Sequence, residues 1–252
     1  MSENATFRAE FLAPAKAVIV EAEGFRPIRT FVEAAHSKPV GRWTSRKSRR
    51  ALPWESYAER HLFRCCEVDP RVIRFLAQPH RLEMMTGAPR PLIYFPDVRV
   101  DYADGTTEIV EVKKTEGELE DPDYLDKLAG AESVYRALGW DFRIAIAEEE
   151  IEIDPIYSNA KMICADRFSL IVRPAVLAIE EVFHVESQIA LGKAEEIVAE
   201  AARIPLERAT AILRAMMCTR RVAVDPRRRV RRDSPVTKPP TVVGARKLTA
   251  GA

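Results

Sequence analysis

The chain has 252 residues, 47% hydrophobic and 31% charged, and its 39 Lys and Arg against 38 Asp and Glu leave a net charge of +1. That length holds one sizeable core and one small module, and so even a balance gives the whole chain no nucleic-acid signature. The four cysteines form no C-x-x-C, no apolar run approaches the roughly 18 to 20 residues of a membrane span, and the start MSENATFRAEF is not a signal peptide, which argues against a zinc site, a secreted disulfide scaffold and a membrane protein. A cytoplasmic protein with reduced thiols is expected.

In chain order, Phe7 to Ala35 has enough apolar residues to pack but no pattern that places it. Arg42, Arg46, Lys47, Arg49 and Arg50 then crowd the end of an N-terminal extension, residues 1–50. A second basic cluster, Arg220, Arg221, Arg227, Arg228, Arg229, Arg231 and Arg232, lies near the far end. Between them, Glu116 to Asp126 and Glu148 to Glu152 are acidic, so charge is segregated along the chain. Basic clusters flanking an acidic site suit a duplex held by its phosphates, with Arg46, Lys47, Arg49, Arg50, Arg227, Arg228, Arg229, Arg231 and Arg232 as candidate contacts.

Trp54 to Glu67 reads as a helix with Ala58, Leu62 and Cys65 at helical spacing, and Asp69-Pro70 marks its exit. Glu59 lies on the stripe beside the buried face. The pair Ser56 and Glu59 fits a capping box, while Pro53 suits the first turn of a helix that begins earlier.

Two candidate strands, Leu92 to Tyr102 and Thr106 to Lys113, flank Ala103-Asp104-Gly105. A two-residue Asp-Gly turn sets Asp97 beside Val112 and mixes charged with apolar side chains on both faces. A three-residue loop, with Gly105 left-handed at a bulge, pairs Tyr102 with Thr106 and so Asp97 with Glu111. One face then carries Asp97, Arg99, Asp101, Glu111 and Lys113, and the other carries Tyr94, Val98, Val100, Val110 and Val112. This register sorts both strands at once and is preferred. Two carboxylates facing each other repel unless a cation lies between them, and Mg²⁺ is the natural hard ion for such oxygens. Lys113 shares their face and can act on a water or on phosphate charge, whereas Lys114 points away. A solvent-facing hairpin of alternating charges is the bland alternative.

Asp123 to Leu138 reads as a helix with Leu125, Leu128, Ala131, Val134, Tyr135 and Leu138 on its apolar side and Gly139 as its stop, followed by a strand from Asp141 to Ala147. Residues 51–154 thus form an α/β core with a mixed sheet. Residues 155–235 change character. Helices are expected near Asn159 to Ala165, Pro174 to Phe183, around Ala194 to Ala201, and from Pro205 through Met216, followed by extended pieces at Arg221 to Val224 and Arg229 to Arg232. That order suggests a winged-helix-like α(+β) domain, with protein contact as the competing role. The Pro-rich tail, residues 236–252, is expected to be disordered.

The run TSRKSRR…PWESYAERHLFRCCEVDP…AQP…FPDVRV…EIVEVKK…ALGWDFRIAIAEEEI resembles the TnsA-like endonuclease subunit of heteromeric transposases, within the PD-(D/E)xK nuclease superfamily. The resemblance implies a restriction-endonuclease-like core in which Glu59, Asp97, Glu111 and Lys113 are catalytic. Asp97, Glu111 and Glu59 would hold Mg²⁺, with Mn²⁺ as a substitute. The best-known member of the family has glutamine where this chain has Glu111. The resemblance further implies cleavage at the 5′ ends of a transposon, double-stranded DNA as substrate, a DDE-type transposase and an AAA+ ATPase as partners, and a place in the bacterial cytosol near the nucleoid. A standalone restriction or repair nuclease and a non-catalytic assembly module are the alternatives.

Overall fold

The computed structural model describes residues 7–11, 17–29, 39–85 and 90–243. Residues 30–35 of the N-terminal segment and 244–252 of the tail lie outside them. No described helix is long and apolar enough to cross a membrane.

The central sheet is built from β5 (Val72–Ala77), β8 (Val98–Tyr102), β9 (Thr107–Lys113) and β10 (Asp141–Ile146), in the order β10-β9-β8-β5. β9 pairs antiparallel with β8 and parallel with β10, so the sheet is mixed as expected. The parallel pair needs a crossover, and α2 (Pro122–Ala137) supplies it. Asp121 caps the helix with its side chain, and Gly139 stops it at φ +72°.

Both faces of this sheet are covered. On one, Val98, Val100, Val110 and Val112 pack in a core with Ala58, Leu62, Phe63 and Cys66 of α1 (Tyr57–Val68). Phe63, with no exposed surface, meets Phe75 of β5 at 5.5 Å between ring centroids. On the other, Ile109 packs with Leu128, Ala131 and Tyr135 of α2. Leu125, assigned to the apolar side of α2, is 40% exposed because it falls at the helix's outer edge.

A second sheet runs β1-β2-β6-β7, formed by Phe7–Phe11, Ala17–Ala22, His80–Met84 and Leu92–Tyr94. It places the N-terminal segment that the sequence left unassigned: Ala17 and Ile19 join Leu82, Met84 and Tyr94 against α2. The expected continuous strand from Leu92 to Tyr102 is therefore two. Pro96 cannot donate to a ladder, so the chain leaves one sheet after Tyr94 and enters the other at Val98. Tyr94 consequently sits on the α2 side, not on the valine face.

The basic segment forms a hairpin, β3 (Gly41–Ser45) and β4 (Arg50–Trp54), whose strand β4 spans the boundary drawn at residue 50. Pro53 lies in β4, which is why it does not open a helix. After α1 and the sheet come α3 (Ile156–Ala165), α4 (Arg173–Val185), β11 (Gln188–Ala190), α5 (Leu191–Ala202) and α6 (Leu206–Cys218). Pro205 is the N-cap of α6 and not its first residue. The last strand, β12 (Pro235–Thr237), pairs antiparallel with β11 and bridges to Ala223. The expected strand at Arg229 to Arg232 does not form. Asn159 instead holds that loop, donating to the carbonyls of Pro226 and Arg228 and accepting from the Val230 amide. Order also extends past residue 236: Val236 is fully buried, and the Val243 amide donates to the Ala103 carbonyl at 2.7 Å.

Candidate active site

The hairpin that carries the acids has the three-residue loop. Tyr102 N donates to the Thr106 carbonyl at 2.9 Å, Gly105 N donates to the Tyr102 carbonyl, and Gly105 has φ +89°. Val98 pairs with Val110 and Val100 with Glu108, a register that continues to Asp97 opposite Glu111. Asp97 lies just before β8, where its Oδ2 accepts from the Val112 amide at 2.7 Å. Its own carbonyl accepts from the Gln78 amide at the end of β5, so the acid is fixed from both flanking strands.

Glu59 enters from the first turn of α1. Ser56 is the N-cap and accepts from the Glu59 amide at 3.1 Å, while Glu59 Oε2 accepts from the Glu55 amide at 3.1 Å. The capping role is therefore real, and the same carboxylate reaches the cluster. It is 6% exposed, and its pKa is raised to about 7 by burial, with Glu55 and Glu111 adding repulsion against the two cap hydrogen bonds. Asp97 is held well above the usual carboxylate range by burial, then by Glu111 and Glu59, against the Val112 amide and Lys113. Asp97 thus feels the charge of both other acids, and Glu59 that of Glu111.

Glu111 is 4% exposed, which rules out the solvent-facing hairpin. Its Oε2 accepts from the Tyr94 hydroxyl at 2.5 Å, and its Oε1 accepts from Lys113 Nζ at 2.8 Å and from the Tyr124 hydroxyl. Burial pulls the Lys113 pKa down, but Glu111 and Tyr124 outweigh it and hold the ammonium above its ordinary range. Lys114 faces solvent, its side chain 70% exposed. Lys127 lies 4.9 Å from the Tyr124 ring centroid.

Sequence reasoning missed Tyr94, Tyr124 and Gln78. The first two are lone tyrosines with no spacing that links them to Glu111, and they meet it only because α2 folds over the sheet. Gln78 Nε2 donates to Glu55 Oε1 at 2.7 Å, tying the start of α1 to the end of β5.

By chemistry the donor set suits a hard divalent cation: three carboxylates, two with pKa values raised partly by acidic neighbours, and with Asp97 Oδ1 and Glu59 Oε1 making no hydrogen bond among the described residues. As placed, no three acids, histidines or cysteines among the described residues converge at ligating geometry. Glu111 is held by its tyrosines and Lys113, so Asp97 and Glu59 carry the open oxygens.

The candidate DNA contacts divide. Lys47 Nζ donates to the carbonyls of Cys66 and Asp69 at 2.8 and 2.5 Å, and burial lowers its pKa to about 8. Arg50 donates to the carbonyls of Ser48, Gly24 and Phe25. Those bonds tie both side chains to backbone carbonyls, Lys47 in a buried setting and Arg50 in a partly exposed one. Arg46 and Arg49 stay open at the hairpin tip. Arg227, Arg228, Arg229 and Arg231 are exposed on the loop after α6, with Arg228 3.8 Å from Asp225, and Arg232 pairs with Glu196 at 3.1 Å.

No curated protein matches the chain. Residues 69–146 match the family model described as TnsA-like endonuclease N terminal, a segment that holds Asp97, Glu111 and Lys113 and begins just after α1 and Glu59. With its mixed sheet consistent with a restriction-endonuclease-like fold, the segment 69–146 is similar to a TnsA-like endonuclease domain.

Proposed function

We propose that the protein is a divalent-metal-dependent DNA endonuclease that hydrolyses phosphodiester bonds at the 5′ ends of a transposable element, as one subunit of a heteromeric transposase. The observation that carries this reading is the meeting of Glu59, Asp97, Glu111 and Lys113, from one helix and one hairpin, at the edge of a TnsA-like domain. Asp97 and Glu59 offer open oxygens to Mg²⁺ or Mn²⁺, and Glu111 completes the acid set. When bound, the cation polarises the scissile phosphate and makes a water more acidic. Lys113, whose proton is held tightly, acts as a donor to charge building on the phosphate rather than as a base. Tyr94 and Tyr124 fix the rotamer of Glu111.

A DDE-type transposase would cut and join the 3′ ends, and an AAA+ ATPase would regulate assembly. The helix–strand–helix–helix order of α4 to α6, closed by β12, supports a winged-helix-like module for DNA or partner contact. The test is cleavage of duplex DNA with Mg²⁺ by the full chain and by Asp97→Ala. Cleavage should fall to background in the variant with the fold retained by circular dichroism, and full activity there would overturn the site.

A further inference from the structure

The hairpin tip, the middle of β5, the loop from Phe168 to Ile171 with the start of α4, and the turn after α6 enclose a groove of about 1190 Å³. Six arginines and one lysine line it, and no aspartate or glutamate does. Three of these cations are spent: Lys47 on the end of α1, Arg74 on Asp101 at 2.6 Å, and Arg220 on the carbonyls of Pro70 and Pro240. The other four, Arg46, Arg49, Arg173 and Arg221, come from three separate segments, and their guanidinium groups make no hydrogen bond or ion pair among the described residues.

The tip that carries two of them is held firmly. Glu67, fully buried, accepts from the amides of Arg46 and Lys47, and Ser48 exchanges two hydrogen bonds with the backbone of Phe75. Gathering like charges on a rigid frame without a counter-charge is unfavourable unless an anion occupies the space between them. Thr44 and Ser169 lie in the same lining, and guanidinium with hydroxyl is the donor mixture that meets phosphate oxygens. Phe168 in the same lining is 53% exposed, and the Arg167 guanidinium lies 4.5 Å from its ring centroid, adding a further cation beside the groove.

The groove is not part of the acid cluster. It adjoins the last turn of α1, through Lys47 on Cys66 and Asp69, whereas Glu59 is in the first turn. From Glu59 to Cys66 the helix rises roughly 10 Å, about three phosphates along one DNA strand.

We infer that this groove is a second DNA site, binding the sugar-phosphate backbone at a distance from the bond being cut. The choice of DNA as the polyanion rests on the nuclease reading, but the site can be tested without cleavage.

The test is a salt titration of a short fluorescent duplex of arbitrary sequence with the full chain and with R46A/R49A/R173A/R221A, all metal chelated. The variant should bind at least about tenfold more weakly, and its slope of log K against log salt should fall in magnitude by about 3 to 4. The matching four-lysine variant should keep the slope, since counterion release follows charge. Because no metal is present, a dead acid cluster leaves this result unaffected. Unchanged affinity and slope in the four-alanine variant would overturn the inference. So would a labelled polyglutamate peptide that loses binding in that variant while DNA binding stays intact, which would make the groove a dock for an acidic protein segment.

Discussion

The two ends of α1 concentrate opposite charges and treat them differently. At its first turn, Glu59, Asp97 and Glu111 are drawn into a site roofed by α2, where burial raises two of their pKa values and Tyr94, Tyr124 and Lys113 answer Glu111. At its last turn, the arginines of the groove stand in solvent and four are unanswered. A buried cluster of acids suits a small hard cation, which answers several of their charges at one point. An open set of guanidinium groups suits an extended ligand, because the charges are spaced along a surface. Burial, more than the count of charges, sets what each end can hold.

The sharpest way to break the acid half of that contrast is the lysine pair. Lys113→Ala should lower the cleavage rate on the order of 10²- to 10³-fold, the cost of losing one preorganised donor to developing charge. Lys114→Ala should stay within about twofold. Equal losses would mean that the strand does not present the two side chains to different faces.

A thermal melt probes the repulsion among the acids. A raised carboxyl pKa means the folded state prefers the protonated form, so neither Glu59 nor Asp97 destabilises below its ordinary value, 4.5 and 3.8. Glu59 destabilises increasingly as pH climbs from 4.5 through about 7, and Asp97 adds to the loss in the same direction from 3.8 upward. Without metal, Tm should therefore fall across that window. Mg²⁺ competes with those protons, and it should raise Tm by several degrees at pH 8, about 2–4 °C for each kcal/mol, and much less at pH 5. An Mg²⁺ effect independent of pH would separate the ion from these acids.

The smallest expected effect concerns the loop that sets the register. Nothing lies within 4 Å of a Cβ added at Gly105, so Gly105→Val meets no clash and is penalised only by its positive φ. Denaturant unfolding should register a loss of about 1–2 kcal/mol. No loss would show that the left-handed bulge is not needed to hold Asp97 opposite Glu111.

Much of the acid site was legible because it is local. Asp104-Gly105 and the alternating valines allow only one register that sorts both strands, and that register alone brings Asp97 to Glu111. What surrounds it was not legible. Pro96 sends Tyr94 to a second sheet, and Tyr124 arrives on a helix whose docking angle no spacing encodes. The basic clusters were visible as charge, yet Lys47 and Arg50 turned inward to cap carbonyls, and Arg46 and Arg49 met Arg173 and Arg221 only through tertiary folding. At the C-terminus the arginine run looked extended and the Pro-rich tail looked loose. The strand formed in the tail because Val236 supplies a buried apolar side chain there and the arginines supply none.

The helix that separates the two charged ends also joins the two halves of the chain. Leu62 and Cys66 of α1 belong to the same apolar core as Ile163 and Cys164 of α3, Met216 and Met217 of α6, and Val236. A chain ended at Asp154 would leave that face of α1 bare to water and prone to aggregation, with Arg173 and Arg221 gone from the groove. The segment that carries the acid cluster is in this sense not a separable cassette: sharing one core, it should melt together with the helices that follow it.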